Sequence, residues 1–222
     1  MERHVLVVFP HPDDETFGCG GTIAQFTASG VPVTYVCGTL GQMGRNMGKP
    51  VFVTRESLPR IREEELEEAC RALGIRRLIK LGLFDKTVEF EDPARLADRI
   101  EESIREVRPS LVLTHYPGYA VHPDHNALGK VTVRAIARLT HNERPTVYLH
   151  GFPHKDIGPQ DIVIDISAVA DMKLAATRAH RSQSESMLKR IENERLKEGT
   201  MANMARNFLL RESFWTHRFE NG

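Results

Sequence analysis

Two short clusters hold most of the side chains able to do chemistry: His11-Pro12-Asp13-Asp14-Glu15 and His122-Pro123-Asp124-His125. His11 and Asp14 stand three residues apart, so one tight turn can aim both at a single point. One imidazole and one carboxylate at that point suit a divalent metal. Asp13 lies between them, points elsewhere and is free to act as a base. A metal needs a third protein ligand, and the second cluster offers one. Two histidines and one carboxylate leave a coordination position open, which is the pattern of a catalytic site. Zinc can lower the pKa of its bound water to about 7, and a base beside a ligand lies within reach of that proton. Asp124 can pair with His122 and hold it charged, or support a ligand from behind. Glu15 can cap a helix, pair with a neighbour or hydrogen-bond a ligand.

The elements that must position these clusters are legible nearby. Val5 to Phe9 is an unbroken apolar run, as expected of a strand buried on both faces, and Pro10 and Pro12 end it. Leu111 to His115 is a second such strand, leading through Tyr116-Pro-Gly-Tyr-Ala-Val to the second cluster. Both clusters therefore follow the carboxyl end of a strand, where open α/β sheets bind ligands. Further strands are expected at 31–37, 78–81, 146–150 and 162–165. Helices are expected at 22–29, opened by Gly18 to Gly21, and at 60–73, 93–107, 126–139, 168–180 and 184–199, the last continuing through 200–214. Strands alternating with helices predict an α/β fold: a single Rossmann-like domain over 1–222, with a mostly parallel sheet flanked by helices on both faces. That topology turns both clusters toward one crevice. The Gly-rich stretch Thr39 to Asn46 follows a strand's carboxyl end too, and is expected to line it.

Composition narrows the function class. The 222 residues carry 30 Lys+Arg and 30 Asp+Glu, so no basic stripe invites nucleic acid. No run approaches about 18 apolar residues, so no membrane span is expected. Met-Glu-Arg-His runs straight into a strand without a signal-peptide core, which points to the cytoplasm. Cys19, Cys37 and Cys70 are far apart and read as free thiols in a reducing compartment.

The paired clusters resemble the signature of the PIG-L/LmbE family of zinc-dependent de-N-acetylases, and the resemblance extends from Val5 to about Trp215. It implies His11, Asp14 and His125 as metal ligands, Asp13 as base and His122, in its protonated form, as the donor to the oxyanion, with Asp124 beside it. Zn2+ is the expected ion, with Fe2+ or another divalent metal able to take the same ligands. Arg62 matches an arginine that relatives place in an Arg-x-x-Glu helix to contact substrate, and Asp85 matches a substrate-contacting aspartate. Relatives often carry a tyrosine or an arginine just before the second cluster, where this chain has Ala120 and Val121. Tyr119, and after it Tyr116, are the candidates to replace it. Ala179-His180-Arg181-Ser182-Gln183 resembles the family's C-terminal His-x-Ser-Gln element. Within the family the two runs look most like the bacillithiol biosynthesis branch. That implies removal of acetate from N-acetylglucosaminyl malate, a small acetylated amino-sugar conjugate, by a homo-oligomer. Arg45 is among the cations available to a malate tail. Two other readings remain: an amidase acting on thiol conjugates with the same machinery, and a Rossmann-like protein whose metal is only structural.

Overall fold

The computed structural model describes residues 2–48, 50–195 and 207–219. Seven strands form one sheet in the order β3-β2-β1-β4-β5-β7-β6. They are β1 (Val5–Phe9), β2 (Val33–Thr39), β3 (Arg77–Leu83), β4 (Leu111–His115), β5 (Thr146–His150), β6 (Ile162–Asp165) and β7 (Arg211–Thr216). The first five run parallel, and β7 pairs antiparallel with both β5 and β6. This is the mixed α/β sheet that the alternating pattern predicts.

Helices α1 (Asp14–Ala28), α2 (Leu58–Leu73), α5 (Ala170–Ala179) and α6 (Arg181–Arg195), with α3 (Pro93–Val107) and α4 (Pro123–Ala137), complete the element order. β1 shows why the sheet is layered. Val5, Val7 and Phe9 pack into the core on the α1, α2 and α5 side, while Leu6 and Val8 pack into the core on the α3 and α4 side. A strand fully buried on both faces has no use for alternating polar residues. β1 lies between β2 and β4, so the chain leaves it in one direction and returns on the other. The crevice at its carboxyl end is the switch point of the sheet.

Two elements differ from expectation. The helix expected from residue 22 begins at Asp14, and the Gly-rich stretch lies inside it. Cys19 has φ −151°, which breaks α1 into two segments. The second segment starts where the glycines are, and its Gly21 and Thr22 amides donate to the Glu212 carboxylate at 2.8 and 2.7 Å. The other difference is β7. The charged helical run was expected to continue through 214, but 211–216 is a strand; residues 196–206 lie outside the described residues. Glu212 is buried there with Phe214 and Trp215, and a buried glutamate in a four-residue alternation hides the period-2 signal.

α4, which carries the second cluster, lies very close to β4. A Cβ added at Gly129 would sit 2.4 Å from the His115 carbonyl oxygen, and that backbone has no room to retreat. Gly129→Ala is therefore expected to cost about 1–3 kcal/mol of stability, as overpacking does. Chemical denaturation checks this, and a midpoint unchanged from the parent would show that α4 can lift away freely.

Candidate active site

The first cluster is the β1–α1 turn. Asp13 is the N-cap of α1 and has φ 102°, a left-handed conformation costing a non-glycine residue about 1–3 kcal/mol unless its surroundings impose it. They do so from two sides. The Asp13 amide donates to Glu15 Oε2 at 3.0 Å. The buried Arg62 guanidinium donates to the Pro12 carbonyl and, at 3.0 Å, to Asp13 Oδ2. Arg62 is thus spent behind Asp13 and on the Gly41 carbonyl at 3.4 Å, where it orients the carboxylate. Burial pushes the Asp13 carboxyl up to about 6, against the pull of Arg62.

The second cluster opens α4. His122 is its N-cap, and His122 Nδ1 accepts the Asp124 amide at 3.1 Å. Asn126 fastens the loop before it, giving and receiving hydrogen bonds with the Ala120 backbone at 2.7 and 3.1 Å.

The turn and the helix start converge. His11 Nδ1 and His125 Nε2 lie 3.0 Å apart. Asp14 Oδ2 is 3.4 Å from the first and Asp14 Oδ1 3.2 Å from the second. On its far side, His11 Nε2 lies 3.1 Å from Asp124 Oδ2 and 3.2 Å from Asp85 Oδ1. Those acceptors hold the ring proton on Nε2, so Nδ1 presents a lone pair. Asp124 is itself fixed by the Lys86 and Val88 amides at 2.7 and 3.2 Å, and Asp85 by the Met43 amide at 2.9 Å. Although burial alone would lower it, His11 is held well above the ordinary imidazole range by Asp124, Asp14 and Asp85. Asp14 is held well below the carboxylate range, against burial, by His125, His11 and His115. The centre of this cluster favours positive charge.

The three side chains fit a divalent metal. Ligand atoms about 2.0–2.1 Å from a tetrahedral ion lie about 3.3 Å from one another, close to the separations seen here. A ligating histidine whose other nitrogen donates to a carboxylate is the usual supporting arrangement, and Asp124 and Asp85 supply it to His11.

Of the two roles open to Asp124, the geometry matches support of a candidate ligand from behind rather than pairing with His122. The Asp124 carboxylate serves His11 and two backbone amides instead. His122 is lowered by burial and then by His11, and its Nδ1 is an acceptor, so a neutral ring offers Nε2–H as the donor. Asp85 is buried against His11, Arg45 is exposed on the Gly-rich loop, and Tyr119 is half-buried beside the second cluster, its ring edge-on to Tyr116 and near His154.

One neighbour of the clusters, His115, went unread in the sequence, and the resemblance singled out His180 only as part of a C-terminal element. His115, at the end of β4, stacks on His125 with ring centroids 3.9 Å apart; a polar residue closing a buried strand at its carboxyl end was the available signal. His180 Nε2 meets Glu15 Oε1 at 2.7 Å, both fully buried. Burial opposes charge on His180, but Glu15 and then Asp13 raise its pKa. Ser182 next to it binds Glu65, and Gln183 donates to the Arg45 carbonyl at 2.8 Å. The C-terminal element thus ties the first cluster to the Gly-rich loop.

Residues 6–136 match the family described as PIG-L, GlcNAc-PI de-N-acetylase. A Bacillus cereus protein named "Probable N-acetyl-alpha-D-glucosaminyl L-malate deacetylase 2" is 52% identical, covering 99% of this chain and 100% of that one. The Bacillus subtilis protein of the same name is 47% identical, with both chains covered in full. Among solved structures, N,N'-diacetylchitobiose deacetylase from Pyrococcus horikoshii superposes with a TM-score of 0.75 at 25% identity, covering 97% of this chain and 84% of that one.

Proposed function

The chain belongs to the PIG-L family of de-N-acetylases, and on that premise we propose that it hydrolyses the acetamide of N-acetylglucosaminyl malate with Asp13 as the base. The relatives named above, which match it over their whole length, support that substrate. The observation that carries the mechanism is Asp13. It is a half-buried carboxylate that burial pushes up to about 6, locked by Arg62 and placed one residue from the proposed ligand Asp14.

His11, Asp14 and His125 would hold the ion, with Zn2+ the best fit to two imidazoles and a carboxylate. The ion would supply a Lewis acid that polarises the amide carbonyl and makes water acidic near neutrality. Asp13 Oδ2 is occupied by Arg62, so the second carboxylate oxygen takes the proton from the attacking water. The same oxygen returns that proton to the departing amine. His122 donates from Nε2 to the oxygen that becomes negative in the transition state. Asp124 and Asp85 keep His11 in the tautomer that binds metal. Arg45 and Tyr119 stand on the loops beside the clusters, where the malate carboxylates and the sugar would be met.

Metal-reconstituted protein incubated with N-acetylglucosaminyl malate is expected to release acetate. A parallel sample treated with chelator is expected to release none until metal is restored. Protein that holds its metal and leaves this substrate intact would overturn the malate assignment, and release that survives chelation would overturn the metal assignment.

A further inference from the structure

The Asp13 turn is held at two points, and the proposed chemistry draws on only one of them. Arg62 fixes the carboxylate. The backbone is fixed by Glu15, whose Oε2 accepts the Asp13 amide at 3.0 Å. Glu15 Oε1 accepts the Thr16 hydroxyl at 2.6 Å and lies 2.7 Å from His180 Nε2. Glu15, Thr16 and His180 are all fully buried. His180 Nδ1 has no partner among the described residues, so the ring spends its hydrogen bonding on Glu15 alone. A buried polar atom left in that state needs a physical reason. Filling space is not one, because an apolar side chain would do that without leaving a nitrogen unpaired.

We propose that His180 is a positioning residue for the deacetylation: through Glu15 it holds the Asp13 amide, and with it the left-handed turn that aims the Asp13 carboxylate. The inference rests on the reading of Asp13 as the base. Asp13 at φ 102° keeps that conformation only while its surroundings impose it. Without the imidazole, Glu15 loses its charge-assisted partner, and its grip on the Asp13 amide loosens. His180 is itself held firmly. Its carbonyl accepts the Gln183 and Ser184 amides, both at 2.9 Å. The Ser182 amide and hydroxyl bond the two oxygens of Glu65 at 2.8 and 2.7 Å. Glu65 stands one turn from Arg62 on α2. One helix therefore braces Asp13 twice. Arg62 reaches the carboxylate directly, and Glu65 reaches the amide through Ser182, His180 and Glu15. A base displaced by about 1 Å can cost about a hundredfold in rate, so a remote brace of this kind is felt in turnover.

The test compares full-length, metal-loaded His180→Ala, His180→Gln and His180→Asn with the parent. Glutamine sets an N–H where the imidazole has Nε2, whereas asparagine sets its amide near Nδ1 and falls short of Glu15. His180→Ala and His180→Asn are expected to lower kcat on N-acetylglucosaminyl malate about 10–100-fold, with KM and bound metal at the parent's level. His180→Gln is expected to recover most of that loss. Exchange of the Asp13 amide with solvent, followed by NMR on isotope-labelled protein, is expected to quicken about tenfold or more in the first and third variants, and to stay near the parent's rate in His180→Gln. A kcat loss that glutamine relieves no better than asparagine overturns the proposal, as does a loss matched by a fall in bound metal. So does an Asp13 amide whose exchange does not change in His180→Ala. Should His180→Ala not fold, the glutamine and asparagine variants carry the comparison. Parent protein that leaves the substrate intact overturns the proposed function, while the amide exchange still decides whether His180 holds the Asp13 turn, so the two readings fail separately.

Discussion

Asp13→Asn is expected to lower turnover by about 10²–10⁴-fold, the usual contribution of a positioned general base, while metal content stays at the parent's level. Asparagine keeps the shape of the side chain and an oxygen for the Arg62 guanidinium. It also tolerates the left-handed backbone found at this position better than most residues do. The loss therefore reports the missing proton acceptor and not a rearranged turn. The same carboxylate sets the acid limb of the pH profile. As the proposed base Asp13 would act only when ionised, and burial pushes it up to about 6, so activity is expected to fall as pH drops through that value. Asp13→Asn with turnover within tenfold of the parent, or an acid limb unchanged in the residual activity, would place the base elsewhere.

The largest effect on stability is expected at Glu212. Lys173 Nζ and Glu212 Oε1 lie 2.7 Å apart, with side chains 1% and 3% exposed. Both Glu212 oxygens also accept the amides that begin the second segment of α1. Removing one partner of a buried ion pair typically costs about 3–5 kcal/mol, because the other charge is left unpaired. Glu212→Ala should reach that range in chemical denaturation. Replacing both residues, Lys173→Met with Glu212→Met, should recover part of the loss, since an apolar pair leaves no orphaned charge. A single-variant cost below about 1 kcal/mol would mean that water reaches Lys173.

The parallel half of the sheet and the two clusters were legible in the sequence because each rests on local signals. β1 is an apolar run ended by prolines, and each cluster follows the carboxyl end of a strand, the second after a short loop, so the switch point brings them together by topology. What the sequence hid depends on distant partners. The resemblance marked Arg62 as a substrate contact; only the fold shows it turned inward to hold Asp13. Glu15 looked ambiguous because His180 lies 165 residues away. Glu212 looked like a surface helix residue because nothing local reveals that a lysine on α5 neutralises it. The helix start at residue 14 was missed because three glycines and a cysteine argue against helix, and the chain answers that conflict with the kink at Cys19.

The span of these contacts bears on how the protein comes into being. Every candidate ligand and Asp13 itself have been synthesised by residue 125. Yet the turn that holds Asp13 relies on Glu15, whose counter-charge is His180, and the helix behind it relies on Glu212. If the proposed roles hold, a growing chain therefore presents its candidate ligands before the groups that position the proposed base. On the proposed roles, a chain that stops short of His180 and Glu212 would carry the candidate ligands without the groups that steady the candidate base.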